Sequence, residues 1–423
     1  MTLDRGVRAQ VTDIDTISLD IMDRLDQLAE ITETPGFLTR RCYTPQHRAA
    51  NDLAGQWMRD AGMEVWQDAV GNMMGRYEGK IPGAPAILLG SHLDTIIKAG
   101  KYDGGLGVLS AIDVVKSLNE RGVRYDNAIE VACFADEEGV RYQSTFLGSR
   151  ALAGTFDMAL LDRPDKDGIT LAQAMTDFGL DTARIGEAAR RPGDIRCYLE
   201  VHIEQGPVLE AEDLPTCAVT AIAGANRMTV RITGAAGHAG TVPMDARQDA
   251  LCAASECILA VENAAAAHEH AVGTVGQISS GPGATNVIPG TAEFSVDFRA
   301  AEDAVRNKAV AELLADFESI GGKRGVTLSI DHSHAADGVT CAPDLVDTIE
   351  AAMDDLGQRP FRLPSGAGHD AAALAHITDV GMIFVRCDRG ISHSPDESIT
   401  GEDGIAGANL LLRTVERLGT TNI

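Results

Sequence analysis

Several short blocks of this sequence gather residues able to hold a metal ion or move a proton. Gly90-Ser91-His92-Leu93-Asp94-Thr95 sets an imidazole two residues before a carboxylate, and Asp103 follows in Tyr102-Asp103-Gly104-Gly105. Ala135-Asp136-Glu137-Glu138-Gly139 strings three carboxylates together, which repel one another unless something cationic sits among them. His202-Ile203-Glu204-Gln205-Gly206-Pro207 and Ile391-Ser392-His393-Ser394-Pro395-Asp396-Glu397 complete the set. Taken singly, each block equally describes a capped histidine or a solvated acidic turn. Imidazoles and carboxylates without paired thiolates suit Zn²⁺, Mn²⁺, Co²⁺ or Ni²⁺. Five ligands with one bridging carboxylate make a two-metal site, the ions about 3.5–4 Å apart with a water between them. Glu137 and Glu138 then divide the work, one binding metal and the other taking the proton of the water, because neighbours in extended chain point oppositely. Asp94 lies on the His92 side, where it can hydrogen-bond the imidazole from behind.

The elements that must position these residues are short apolar runs. His92 follows the run 86–89 directly, the acidic triplet follows Ile129–Phe134, His202 follows 196–201, and His393 comes after 381–385. Open α/β sheets place their sites at the carboxyl ends of strands, and unrelated residues would not keep landing there. Between the runs, 107–118 has apolar residues at helical spacing (Val108, Ala111, Ile112, Val115, Leu118), and Thr44-Pro45 caps and opens a helix that stops near Gly62. This βαβ rhythm predicts an α/β layer around a mostly parallel sheet. The middle of the chain reads differently: strands at 228–232, 273–278, 292–299 and 326–330 with helices at 248–267 and 304–320. That β-α-β-β-α-β order is the split βαβ, ferredoxin-like pattern of a small two-layer α+β domain. A helix at 343–356 and the strand 381–385 then resume the α/β style.

A chain of 423 residues is longer than one core usually serves, at roughly 100–200 residues per domain. The expected division is a discontinuous catalytic domain, 1–218 with 338–423, interrupted by an inserted domain at 219–337. With 44% hydrophobic and 23% charged residues the chain is globular in composition. Its 36 basic against 62 acidic residues give a net charge of −26, which disfavours nucleic acid and anionic membrane surfaces. Aromatics at 4% leave little for base stacking, and no apolar run is long enough to span a membrane. The stretch 1–33 shows no targeting pattern, and the cysteines (42, 133, 197, 217, 252, 257, 341 and 387) form no CxxC pair. They read as buried thiols of a reducing compartment, so a cytoplasmic location is expected. Neither a phosphate-binding GxxxxGK[ST] loop nor a nucleophile-elbow GxSxG occurs, which argues against a nucleotide site and a serine hydrolase.

The blocks GSHLDT, YDGGLGV, FADEEG, TFLGSRALAG, EVHIEQGPVLE, GHAGTVPM, ATNVIPG, DFR, PSGAGHDA and GISHSPDE, running in order from about residue 35 to 405, resemble the dinuclear-metal amidohydrolases and peptidases of the M20 type. The sequence is most similar to their carbamoylase branch: allantoate amidohydrolases, N-carbamoyl-L-amino-acid hydrolases and β-ureidopropionases. The resemblance implies that His92, Asp103 and His202 hold one divalent ion, that Asp103 bridges, and that Glu138 and His393 hold the second. It makes Glu137 the general base and Asp94 the residue orienting His92. His202 within VHIEQG separates this branch from the peptidases, which use a carboxylate at that step. The resemblance also implies that the insert is a lid that forms a homodimer.

The implied reaction is hydrolysis of a terminal ureido C–N bond: a water gives its proton to Glu137 and attacks the ureido carbonyl carbon. His238, in Gly237-His238-Ala239-Gly240, matches the family's partner for the resulting oxyanion, and the alternative for it is a loop histidine near Pro243. Arg299 matches a clamp for the substrate carboxylate, and Gln205 and Asn286 match amide contacts to substrate. Gly366, Gly368 and His369 are expected to line the same pocket without an assigned role. The remaining histidines (47, 268, 270, 332, 334 and 376) match nothing and read as surface or structural. The expected substrate is a small ureido or carbamoyl carboxylate. Allantoate is preferred because the named pocket residues are polar or charged; N-carbamoyl-L-amino acids, β-ureidopropionate and, more distantly, dipeptides are the alternatives.

Overall fold

The computed structural model describes residues 20–420; 1–19 and 421–423, and with them much of the stretch 1–33 read for a targeting pattern, lie outside the described residues. The chain forms two compact units. The first takes in the residues up to Thr220, Cys341–Leu363 and the residues from His369 onward, and the second takes in Ala221–Thr340 and Pro364–Gly368. The short return segment Pro364–Gly368, read from sequence as part of the catalytic domain, therefore belongs to the second unit.

The sheet of the first unit runs in the order Glu64–Gln67, Met73–Tyr77, Ile129–Phe134, Ala86–His92, Ile195–Ile203, Asp379–Val385, Thr216–Ile222. Its four middle strands are parallel, and antiparallel pairs flank them on both sides. Ala86–His92, Ile129–Phe134 and nearly all of Ile195–Ile203 are buried throughout, which is why they read as continuous apolar runs without alternation. The chain passes from Ala86–His92 to Ile129–Phe134 on one side and then to Ile195–Ile203 on the other. That reversal makes the carboxyl end of Ala86–His92 the switch point where such sheets carry their ligands. The helix Gly105–Glu120 packs on these strands, buried along most of its length. Gly107 makes that contact possible, because a Cβ there would stand 2.2 Å from the Val201 carbonyl oxygen. Pro45–Asp60 begins as the sequence predicts, with Thr44 Oγ1 accepting the His47 N–H and Pro45 in the first turn.

In the second unit, Gly224–Thr233, Thr291–Ala300 and Thr327–Ala336 pair antiparallel, with Thr327–Ala336 and Thr291–Ala300 on either side of Gly224–Thr233. Met228, Val230, Ile232, Phe294, Val296 and Phe298 alternate onto one face and pack against the helices Ala250–Ala266 and Asp303–Arg324. The strand expected over 273–278 is instead two, Ala271–Thr274 and Ile278–Gly281, both paired with Thr291–Ala300. Gly273 and Gly276 weaken strand propensity there, and the chain steps between two sections of the same edge.

The cysteines of the described residues are free thiols; all are buried except Cys252, which is exposed on Ala250–Ala266. No helix among the described residues is long and apolar enough to cross a membrane.

Candidate metal centre

Strand ends of the first unit deliver the ligating groups. His92 closes Ala86–His92, and its Nδ1–H donates to the Asp94 carbonyl oxygen at 2.9 Å. His202, inside Ile195–Ile203, donates Nδ1–H to the Ile203 carbonyl at 2.9 Å. A carbonyl only accepts, so both rings carry a proton on Nδ1 and turn Nε2 toward the carboxylates. Those Nε2 atoms face Asp103 Oδ1, at 3.5 Å from His92 and 3.0 Å from His202. Asp103 Oδ2 faces His393 Nε2 at 3.3 Å, and His393 stands 3.8 Å from Glu138 Oε1. The ligand atoms of His92, Asp103 and His202 lie within 4.8 Å of one another, as do those of Asp103, Glu138 and His393. All five expected ligands thus assemble into two triads that share one carboxylate.

Backbone conformation makes this convergence possible. Gly104, at φ 66°, turns the chain from Asp103 into the helix Gly105–Glu120; a Cβ there would fall 2.5 Å from His92 Cε1 and from the His92 carbonyl oxygen. His393 itself sits at φ 55°, an uncommon conformation for a residue with a side chain. Its ring is half exposed, whereas the side chains of the other four residues are largely covered.

The electrostatics are those of a site built around cations. Burial works against ionisation of Asp103, but the ring groups of His202, His393 and His92 outweigh it and hold the carboxyl well below the usual range. Burial pushes Glu137 well above it, and Glu138, Asp370 and Asp94 add to the rise against the opposing His92. Glu138 is raised to about 7, mainly by burial and then by Asp103. Glu138 Oε1 is buried and receives no hydrogen bond. An orphaned carboxylate oxygen beside three imidazoles whose Nε2 atoms converge on Asp103 is a donor set that fits divalent ions. Glu137 Oε2 lies 4.0 Å from His92 Nε2, next to the ligands without belonging to either triad.

Asp94 and Gln205 make contacts that residue spacing does not specify. Asp94 supports His92 through its main-chain carbonyl; its carboxylate stands 3.8 Å from the ring and instead accepts the backbone N–H groups of Glu137 at 3.1 Å and Glu138 at 3.2 Å. Gln205 turns its amide nitrogen toward Asp103 Oδ2 at 3.0 Å and Ser392 Oγ at 3.1 Å, which leaves its amide oxygen for a substrate N–H.

The other expected substrate residues belong to the second unit. His238 and Val287 pair in a two-stranded ladder, which brings His238 beside exposed Asn286, whose carbonyl accepts the Ala239 N–H at 3.0 Å. His238 Nδ1 accepts the Gly240 N–H at 3.1 Å, so Nε2 carries the proton. Arg299 lines a cavity of about 660 Å³ with Arg227, Thr274, Gln277, Ser295 and Asp297. Its guanidinium donates to both oxygens of Asp297 at 2.9 Å and to the Gly366 carbonyl at 2.8 Å.

Three buried residues take places at the site that the sequence left without a role. His369 packs edge-on against His202 with ring centroids 4.5 Å apart. Glu200 accepts the Ser91 hydroxyl at 2.8 Å and the Ala371 N–H at 3.2 Å, and it forms a further group of ligating atoms with His202 and His369. A carboxylate inside an otherwise apolar buried strand was the available signal for Glu200. Glu397, the last residue of the GISHSPDE block, accepts the N–H groups of Tyr102 and Asp103 and the hydroxyl of Ser392.

The chain matches known proteins along most of its length. The model of peptidase family M20/M25/M40 matches residues 88–417. An N-carbamoyl-L-amino acid amidohydrolase of Geobacillus stearothermophilus is 44% identical over 94% of this chain and 98% of its own. Allantoate deiminase 1 of Glycine max is 39% identical over 93% of this chain and 88% of its own. Among solved structures, a hydantoinase/carbamoylase family amidase from Burkholderia multivorans superposes with a TM-score of 0.90 at 34% identity, covering 96% of this chain and 98% of that one. The chain belongs to the M20/M25/M40 peptidase family, on the branch that holds these carbamoyl-amino-acid amidohydrolases and allantoate deiminases.

Proposed function

We propose that this amidohydrolase cleaves a terminal ureido C–N bond in a small carboxylate, releasing ammonia and leaving a carbamate that breaks down to the amine and CO2, with allantoate as the first candidate substrate. The observation that carries the reading is the pair of ligand triads sharing Asp103, with the Glu137 carboxylate beside them. Two divalent ions (Zn, Mn, Co or Ni) held by His92, Asp103, His202, Glu138 and His393 would supply Lewis acidity and acidify a water. Glu137 accepts the proton of that water as it attacks the ureido carbonyl carbon, and returns a proton to the departing nitrogen. Its backbone is fixed by Asp94, so the carboxylate enters each turnover already placed. Neutral His238 donates from Nε2 to the developing oxyanion, Arg299 binds the substrate carboxylate, and Asn286 and the Gln205 amide oxygen accept ureido N–H groups.

The polar character of Gln205, Asn286 and Arg299 supports allantoate, an acid with two ureido groups. A second reading, N-carbamoyl-L-amino acid hydrolysis, is favoured by the 44% identity to the Geobacillus enzyme against 39% to the soybean allantoate deiminase. We read the second unit as lid and dimerisation domain, the working form as a homodimer in the cytoplasm. The test is ammonia release from allantoate, a panel of N-carbamoyl-L- and D-amino acids and β-ureidopropionate, with dipeptides as control. Turnover of allantoate supports the first reading and turnover of carbamoyl amino acids the second. Dipeptide cleavage without ammonia contradicts both.

A further inference from the structure

One buried carboxylate ties the two loops that carry the shared ligand and the exposed ligand. Glu397 Oε1 accepts the backbone N–H of Tyr102 at 2.9 Å and of Asp103 at 3.2 Å, so it grips the Asp103 loop by its main chain. Glu397 Oε2 accepts the hydroxyl proton of Ser392 at 2.9 Å, one residue before His393. Because that proton points at Glu397, the Ser392 oxygen is left as an acceptor, and it receives the Gln205 amide at 3.1 Å. The same amide donates to Asp103 Oδ2 at 3.0 Å, the oxygen that faces His393. Glu397, Ser392, Gln205 and Asp103 therefore form a closed ring of hydrogen bonds whose direction is set by the acceptor-only end. Gly100 leaves room for this carboxylate: a Cβ there would lie 2.3 Å from Glu397 Cβ, Cδ and Oε1.

We infer that Glu397 is a positioning residue for the second ion site, acting through Ser392 and Gln205 to hold Asp103 Oδ2 and His393 at a fixed separation. This rests on the two-ion reading above. His393 needs such support more than the other ligands do, since its ring is half exposed and its backbone lies at φ 55°. The burial that fixes His92 and His202 does not fix it. Glu397 stands outside the clusters of ligating atoms; its effect travels by hydrogen bonds, as outer partners of metal ligands commonly do. The ring also assigns Gln205 its orientation, nitrogen toward Asp103 and oxygen outward, and so links ion binding to the acceptor offered to a substrate N–H.

The isosteric Glu397→Gln variant tests this without breaking the loops. Its amide oxygen still receives the Tyr102 and Asp103 N–H groups, while its nitrogen replaces the acceptor for Ser392 with a donor. Metal-stripped wild type, Glu397→Gln and Ser392→Ala would be titrated with Mn²⁺ and with Zn²⁺ by calorimetry, and the thermal midpoints of the stripped proteins measured beside them. The expected result is two ions per chain in wild type and, in both variants, roughly tenfold or greater weakening of one of them, with the stripped midpoints unchanged. Unchanged affinities in both variants would overturn the inference. So would a fall in the stripped midpoint that matches the loss seen with metal, since that marks a merely structural contact. Failure of wild type to bind two ions would instead contradict the function proposed above, which separates the two failures.

Discussion

The carboxylate of Asp94 holds the main chain of Glu137: Oδ1 accepts the Glu137 N–H at 3.1 Å while Oδ2 accepts that of Glu138 at 3.2 Å. The carbonyl of the same Asp94 accepts the His92 ring proton at 2.9 Å. One residue thus aligns a ligand imidazole, the candidate general base and a second ligand. In Asp94→Asn only one side-chain oxygen remains to accept, so one of the two N–H groups loses its partner. The expected outcome is a fall in kcat of roughly 10- to 100-fold, with ion content retained. Steady-state kinetics beside elemental analysis of the purified variant would check it.

His393 is the most accessible of the five ligands, and the least supported by packing. His393→Ala should therefore leave the fold intact and remove about one of the two ions per chain. Ion stoichiometry by elemental analysis, with circular dichroism as control for the fold, reads this directly. Retention of both ions at wild-type affinity would remove His393 from the ligand set.

Arg299 already donates along one edge to Asp297, so a substrate carboxylate must use the remaining donors. Lysine offers a point charge without the planar fork. Arg299→Lys should raise KM for the carboxylate substrate by roughly 10- to 100-fold and leave kcat nearly unchanged. An equal loss in kcat would mean that Arg299 acts on the transition state instead.

His47 is fully buried, accepts the Tyr43 N–H on Nδ1, and burial lowers its pKa to about 3, with Arg40 and Arg48 adding to the effect. Between that value and the unfolded value near about 6.5, the unfolded chain binds the proton that the folded chain refuses. Stability therefore rises with pH across this window and is lost as pH falls through it. Replacing His47 by Gln, which takes no proton, should flatten the pH dependence of the denaturation midpoint between about pH 6 and 4. Parallel pH curves for the two proteins would contradict the assignment.

The parallel middle of the sheet and the clustered His92, Glu138, His202 and His393 were legible because they sit at or after strands buried on both faces and so written as apolar runs, whereas Asp103 comes from the loop before Gly105–Glu120. Met73–Tyr77 and Thr216–Ile222 were not recognised, since the first is broken by Gly75 and Arg76 and the second by threonines. The C-terminal helix Gly401–Thr420 was passed over as well, its first turns diluted by Gly401, Gly404 and Gly407. At the site, residue types showed which groups could ligate but not which atom of a residue would be used. Asp94 works through its carbonyl where its carboxylate was expected, and the Gln205 amide nitrogen is already engaged by Asp103, which leaves only its oxygen for the expected substrate contact. Those choices depend on χ angles and loop φ values, which spacing along the chain does not encode. Glu397 stood in a quoted motif yet carried no role, because its partners are backbone N–H groups nearly three hundred residues earlier.

The proposed activity is metal-dependent ureido hydrolysis with Glu137 as base. Its most direct test is ammonia release by metal-stripped protein before and after reconstitution with Mn²⁺, Zn²⁺, Co²⁺ or Ni²⁺, with Glu137→Gln carried through the same steps. The expected result is no ammonia from stripped protein, recovery on reconstitution, and a loss of roughly 10²- to 10⁴-fold in the variant although it binds the same ions. Ammonia release by the stripped protein, or a reconstituted Glu137→Gln as active as wild type, would contradict it.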